Sequence, residues 1–149
     1  MRDEIYDYLI SIGFTNENIR KIEKNNSEIF YVFLKDVKDN VNFFLNKGFS
    51  EEELIQIINN NPFILTDEKN RRDYYDNIYL DILHFNNEEM IKLIRSNNDA
   101  YTSNPIELKS IIEYFSYKFS INEIKKLILA NSKIITMKLF EVKDIVKLV

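Results

Sequence analysis

The sequence predicts an all-α fold, a solenoid of four helix–turn–helix repeats closed by a short capping helix. Three observations lead there. The 149 residues contain four aligned copies of one pattern about 35 residues long. Each copy opens a helix with a capping side chain and continues as an apolar stripe of period 3.6. Gly and Pro number two each, too few for the turns of a β-sandwich or for a glycine-rich phosphate loop.

The marker of each copy is a Phe: Phe14, Phe49, Phe85 and Phe119, spaced 35, 36 and 34 residues. A capping residue follows at once, namely Thr15, Ser50, Asn86 and Ser120. Three residues later stand Asn18, Glu53, Glu89 and Glu123, so the last three copies read as capping boxes. The marker Phe is placed to staple against Ile19, Leu54, Met90 or Ile124. The stripe then runs through Ile22, Ile57, Leu93 and Leu127, with Ile58, Ile94 and Ile128 beside it.

Eleven residues past the cap every copy has Asn: Asn26, Asn61, Asn97 and Asn131. Asn tolerates the left-handed backbone that ends helices, so each second helix is expected to stop there. Apolar pairs follow, Ile29/Phe30, Ile64/Leu65, Ala100/Tyr101 and Ile134/Ile135, as plugs in half-turns or 3₁₀ turns. Upstream of each Phe lies a first helix. Its inward residues are Tyr6, Leu9 and Ile10; Val41, Phe44 and Leu45; Ile78 and Ile82; and Ile111, Ile112, Tyr114 and Phe115. Gly13 and Gly48 take the site just past two of these helices, with His84 and Lys118 in the others. Asn104-Pro105 starts the fourth first helix. The repeats fall at about 2–36, 37–72, 73–106 and 107–141 in a single domain, with a cap at 142–149.

Composition narrows the function classes. Apolar residues make up 45% and charged residues 30%, as in a folded protein with a core. No apolar run nears the ~18–20 residues that span a bilayer, so no membrane partner is expected. Arg2, Asp3, Glu4 and Asp7 stand where a secretion signal would be apolar, and Cys is absent, so a cytoplasmic setting is expected. The net charge is -4, unevenly spread. Residues 1–74 carry 10 basic and 14 acidic groups, whereas from Lys118 onward seven Lys face three acids.

The stretch Phe43–Leu65 contains Gly48-Phe49-Ser50, Glu52-Glu53, Ile57-Ile58, Asn61-Pro62 and Ile64-Leu65 in order. It resembles the repeat of the mitochondrial transcription termination factor (mTERF) family. The resemblance extends over nearly the whole chain and is closest in the second copy. The family's proline stands as Pro62, with Ser27, Asn98 and Ser132 elsewhere. It implies units of two α-helices and a 3₁₀ turn, stacked in a curved solenoid. It also implies a basic concave face along which double-stranded nucleic acid lies.

Catalytic chemistry finds little support. His84, the single histidine, sits in a turn with no nucleophile at recognisable spacing. Glu51, Glu52 and Glu53 occupy a helix's first turn, where the macrodipole favours acids, so no metal or other cofactor is implied. Asp67, Glu68 and Asp73 around Lys69, Arg71 and Arg72 read as a solvated linker. Tyr74, Tyr75 and Tyr79 offer either a base-stacking platform or core aromatics, the core reading being favoured for at least two.

Sorting cations by register gives the candidate site. Six past each cap lie Lys21, Gln56, Lys92 and Lys126; nine past lie Lys24, Asn59 and Arg95, with Leu129 breaking the series. These positions share a helical face and form a ladder of phosphate donors. The expected function is non-enzymatic binding of double-stranded nucleic acid through this face. The alternative is a protein-interaction scaffold or inhibitor using the same surface, for which the acidic first half speaks. Because Leu93 lies on the stripe, Leu93→Ala is expected to cost about 2–5 kcal/mol in urea denaturation.

Overall fold

The computed structural model describes residues 2–147. Those residues are all-α, with no strand. They divide into two compact units, one ending at Lys69 and the other beginning at Asn70. No helix is long and apolar enough to cross a membrane.

The first unit holds two hairpins. Helices α1 (Arg2–Ser11) and α2 (Asn16–Asn25) form one; α3 (Leu34–Leu45) and α4 (Glu51–Asn60) form the other, followed by a 3₁₀ turn at Pro62–Thr66. The second unit opens with α5 (Lys69–Asp76), which runs into a π-helical turn at Asn77–Ile82 and pairs with α6 (Asn87–Ser96). Then come α7 (Pro105–Ser116), α8 (Ile121–Ala130), a 3₁₀ turn at Ser132–Thr136 and α9 (Leu139–Ile145).

Each second helix starts as its cap residue dictates. Thr15, Ser50, Asn86 and Ser120 are extended, and each accepts from the N–H three residues on, at 2.8–3.2 Å. Glu89 and Glu123 close the box by accepting from the cap N–H at 2.9 and 3.0 Å. Asn18 closes one too, accepting from Thr15 N–H at 3.2 Å, so the first copy carries a box without a Glu. An amide oxygen serves there as well as a carboxylate.

The four Asn residues do end the second helices, but not in the left-handed region. Their φ angles lie between -138° and -145°. What Asn contributes is its side chain. Asn26 Nδ2 donates to Pro62 O at 3.2 Å and Thr66 Oγ1 at 2.9 Å, while its Oδ1 accepts from Glu28 N–H at 3.3 Å. In the second unit Asn97 repeats this, donating to Ser132 O at 3.0 Å and Thr136 Oγ1 at 3.3 Å and accepting from Asp99 N–H at 3.0 Å. Each such Asn shapes its own turn and clamps the turn of the next hairpin.

The variable spacing of the repeat is absorbed just before the marker Phe. Phe14 N–H donates to Leu9 O at 3.0 Å, Phe85 N–H to Tyr79 O at 2.9 Å, and Phe119 N–H to Phe115 O at 2.8 Å. The acceptors occupy one core position, five, six and four residues back. The five-residue closure uses Gly13 at φ 114°, where a Cβ would also lie 3.0 Å from Ile55 Cδ1. The six-residue closure uses the π-helical turn and His84 at φ 57°, the only non-glycine residue with positive φ among those described. The four-residue closure continues helical bonding, so Lys118 needs no special backbone.

Burial follows the stripe. Leu54, Ile57 and Ile58, then Met90, Leu93 and Ile94, are at most 4% exposed, and the apolar plugs at most 7%. In α1 the buried pair is Ile5 and Leu9; Ile10, expected inward, is 40% exposed, because i and i+4 alone fit so narrow a contact. Residues 67–73 are solvated as expected except Arg72, but from Lys69 on they are helical. Arg72 lies in α5 and is buried at the register position of Val37 and Leu108, where the first helix faces inward. Tyr75, Tyr79 and Tyr101 fill the third copy's core. Tyr79 Oη donates to Ala100 O at 2.5 Å and Tyr101 Oη to Asp76 Oδ1 at 2.6 Å. Burial, first, and Asp76, second, push the Tyr101 phenol far above its ordinary range. The capping helix starts at Leu139, three residues before the expected 142, because Glu141 Oε1 accepts from Lys138 N–H at 2.9 Å. Leu148 and Val149, the rest of that expected cap, lie outside the described residues.

Removing the clamp deletes two side-chain hydrogen bonds at a covered site, so Asn26→Ala and Asn97→Ala are each expected to cost about 1–3 kcal/mol. Asn131→Ala, with an exposed side chain, is expected to stay within about 0.5 kcal/mol. Denaturant titration of the three variants checks the contrast. His84→Gly is expected to raise stability by up to about 1 kcal/mol, read as a higher midpoint, by relieving the positive φ.

Candidate nucleic-acid interface

All seven side chains of the register ladder are exposed. In the first unit Lys21 and Lys24 lie on α2 and Gln56 and Asn59 on α4, and the two helices pack together. In the second unit Lys92 and Arg95 lie on α6 and Lys126 on the adjoining α8. Within each unit, then, register similarity becomes spatial proximity. This follows from the caps: because each helix starts at an equivalent side chain, residues six and nine along leave it at the same angle.

The first unit's set is electrostatically weak. Lys21 Nζ lies 3.5 Å from Glu17 Oε1 in an exposed i,i+4 pair, and its neighbours Gln56 and Asn59 are neutral. The second unit's set is stronger. It places three cations on two helices, with Glu89 in reach of Lys92 and Glu123 in reach of Lys126. Burial pushes the Glu89 carboxyl up, but the Asn86 N–H and the Lys125 ammonium outweigh it and hold the group below its ordinary range. The Ser120 N–H likewise holds the Glu123 carboxyl down.

Two residues enter that sequence reasoning missed. Lys125 is largely covered and braces the hairpins: its Nζ donates to His84 O at 2.9 Å and sits 3.1 Å from Glu89 Oε1. It therefore belongs to the scaffold. Asn122 joins Lys126 in a small cleft, of about 150 Å³, that Glu89, Lys125 and Leu129 complete. The sequence did hold a signal for it. Two residues past the cap the other copies carry Glu17, Glu52 and Glu88, and only the fourth has a neutral donor.

The remaining candidates sort plainly. Tyr75 and Tyr79 are fully buried and stacked on each other at 5.6 Å, so they belong to the core; Tyr74 is 38% exposed. His84 is exposed and holds a turn. Glu51, Glu52 and Glu53 lie in the first turn of α4, and no group of three metal-ligating side chains converges among the described residues. No curated protein matches the chain significantly in sequence. The family model described as mTERF, however, matches residues 1–149, and with that full-length match on repeated helical hairpins the chain belongs to the mTERF family.

Proposed function

We propose that the chain is a non-enzymatic, cytoplasmic module that binds double-stranded nucleic acid by its phosphates. The contacts run through Lys21, Lys24, Gln56, Asn59, Lys92, Arg95 and Lys126, with the second unit supplying most of the attraction. The observation that carries the reading is the exposed trio Lys92, Arg95 and Lys126 on two adjoining helices. Membership of a family of typically nucleic-acid-binding helical repeat proteins supports it. So does the burial of Tyr75 and Tyr79, which leaves phosphate contacts rather than base stacking as the mode of recognition.

A second reading, a scaffold for a protein partner, draws on exposed aromatics. Tyr31, Phe33, Tyr117 and Phe140 are 64–88% exposed, and Asp3, Glu4 and Asp7 lie on α1. Such anchors suit a protein surface better than phosphates.

Duplex binding measured against salt separates the two. Neutralising roughly four phosphates predicts a loss of about 10²-fold in affinity between 50 and 200 mM salt. Reversing Lys92, Arg95 and Lys126 together to Glu is expected to weaken binding at least about tenfold, with helicity by circular dichroism unchanged. Salt-insensitive or absent binding to duplex DNA and RNA would remove the proposal. Capture of one protein, insensitive to nuclease, would favour the scaffold.

A further inference from the structure

On each second helix the residue two past the cap stands one helical turn before the ladder position six past it, and the two side chains are neighbours. In the first copy that residue is Glu17, whose Oε1 lies 3.5 Å from Lys21 Nζ. Glu88 stands in the same relation to Lys92 on α6. The fourth copy departs from this, with Asn122 four residues before Lys126. Among the described residues Lys126 forms no ion pair and the Asn122 amide no hydrogen bond. Both are exposed, and both line the cleft of about 150 Å³ between α8 and Glu89 of α6. Lys125 and Glu89 line it as well, but their charges are set against each other, Nζ lying 3.1 Å from Oε1. Glu123, in reach of Lys126, does not line the cleft, and its Oε1 accepts from Ser120 N–H at 3.0 Å.

We propose that Asn122 is a positioning residue: with Lys126 it seats one backbone phosphate in this cleft and so fixes where the duplex sits. The role rests on the duplex binding proposed for the ladder. A phosphate oxygen there accepts from Asn122 Nδ2 and Lys126 Nζ together, and bonds to an ionised acceptor are the strong ones. Leu129, beside them, is the apolar wall. At the equivalent place on α2 or α6 the Glu meets the same oxygen with like charge and competes for the cation. The distinction matters because phosphates repeat along a duplex. Equivalent rungs alone let it slide from one phosphate to the next, whereas one rung of different chemistry sets a register.

The test is the affinity of the full chain for a labelled duplex, read against salt. Asn122→Ala removes a donor and no charge, so it is expected to weaken binding about fivefold with the salt slope unchanged. Asn122→Glu restores the acid that Glu17, Glu52 and Glu88 supply in the other copies, so the helix tolerates it. It is expected to weaken binding at least about tenfold and to lower the salt slope by about one, because Lys126 is then paired internally. Glu88→Asn, the reverse exchange on α6, is expected to tighten binding about threefold and to raise the slope. Lys109→Gln, the same change of charge on an exposed position of α7, is expected to stay within about twofold. Circular dichroism of each variant excludes unfolding. If Asn122→Glu costs no more than Lys109→Gln, the effect is bulk charge, and this proposal falls while duplex binding stands. Absence of duplex binding by the parent chain overturns both. Inorganic phosphate that shifts the Asn122 amide resonance where the duplex does not makes the cleft a free-anion site and equally overturns the proposal.

Discussion

The architecture of each unit hangs on one side-chain amide. The first carbonyl of a 3₁₀ turn accepts one bond from within the turn, and where it packs against protein its second lone pair needs another donor. Asn26 and Asn97 answer it from the preceding hairpin, reaching Pro62 and Ser132, 36 and 35 residues on. The same amide takes the Thr hydroxyl that closes the turn, while its oxygen holds its own loop. Fixing the turn sets the apolar plug, Ile64-Leu65 or Ile134-Ile135, against the core. A buried amide bonded at both ends rigidifies, whereas half-bonded it would destabilise. That asymmetry is why the position is Asn rather than merely polar.

Repeat length is then free to vary where it does no harm. The marker Phe closes onto the same core carbonyl whether it lies four, five or six residues back, by helical continuation, by glycine, or by a π-helical turn with His84. Because the cap follows the Phe directly, every second helix still begins at an equivalent place. The exposed positions six and nine past the cap therefore repeat faithfully although the first helices do not. A surface made of second helices inherits the regularity that a phosphate backbone has.

This division explains what could be read in advance. Caps, stripes and helix ends are local, so Thr15, Ser50, Asn86, Ser120 and the four Asn residues announced the hairpins from the sequence. The clamp was invisible because it is non-local: nothing near Asn26 names Thr66 as its partner. Asn18 was missed because the box was sought as Glu, although its amide oxygen has the same reach. Arg72 was misplaced because its neighbours are charged, and only the repeat register shows that its position faces inward. The seven ladder residues were legible as exposed, since they fall opposite the stripe. What they bind was not, because an exposed cation has the same sequence signature whether or not a ligand meets it.

Electrostatics narrows which cations need a ligand to explain them. Lys24 and Arg95 lie in the last turns of α2 and α6, where the helix macrodipole favours positive charge with no partner at all. Glu51, Glu88 and Glu123 lie in first turns for the converse reason. Lys92 and Lys126 stand in mid-helix, where the dipole gives no preference, so the proposed phosphate contacts weigh most on them. Position matters as well. Residues 1–69 carry 8 basic and 13 acidic groups, residues 70–149 carry 12 and 11, and Lys92 and Lys126 both belong to the second stretch. A net charge of -4 is thus compatible with phosphate binding, since screening over about 8–10 Å makes a surface answer to its own neighbourhood rather than to the sum of the chain.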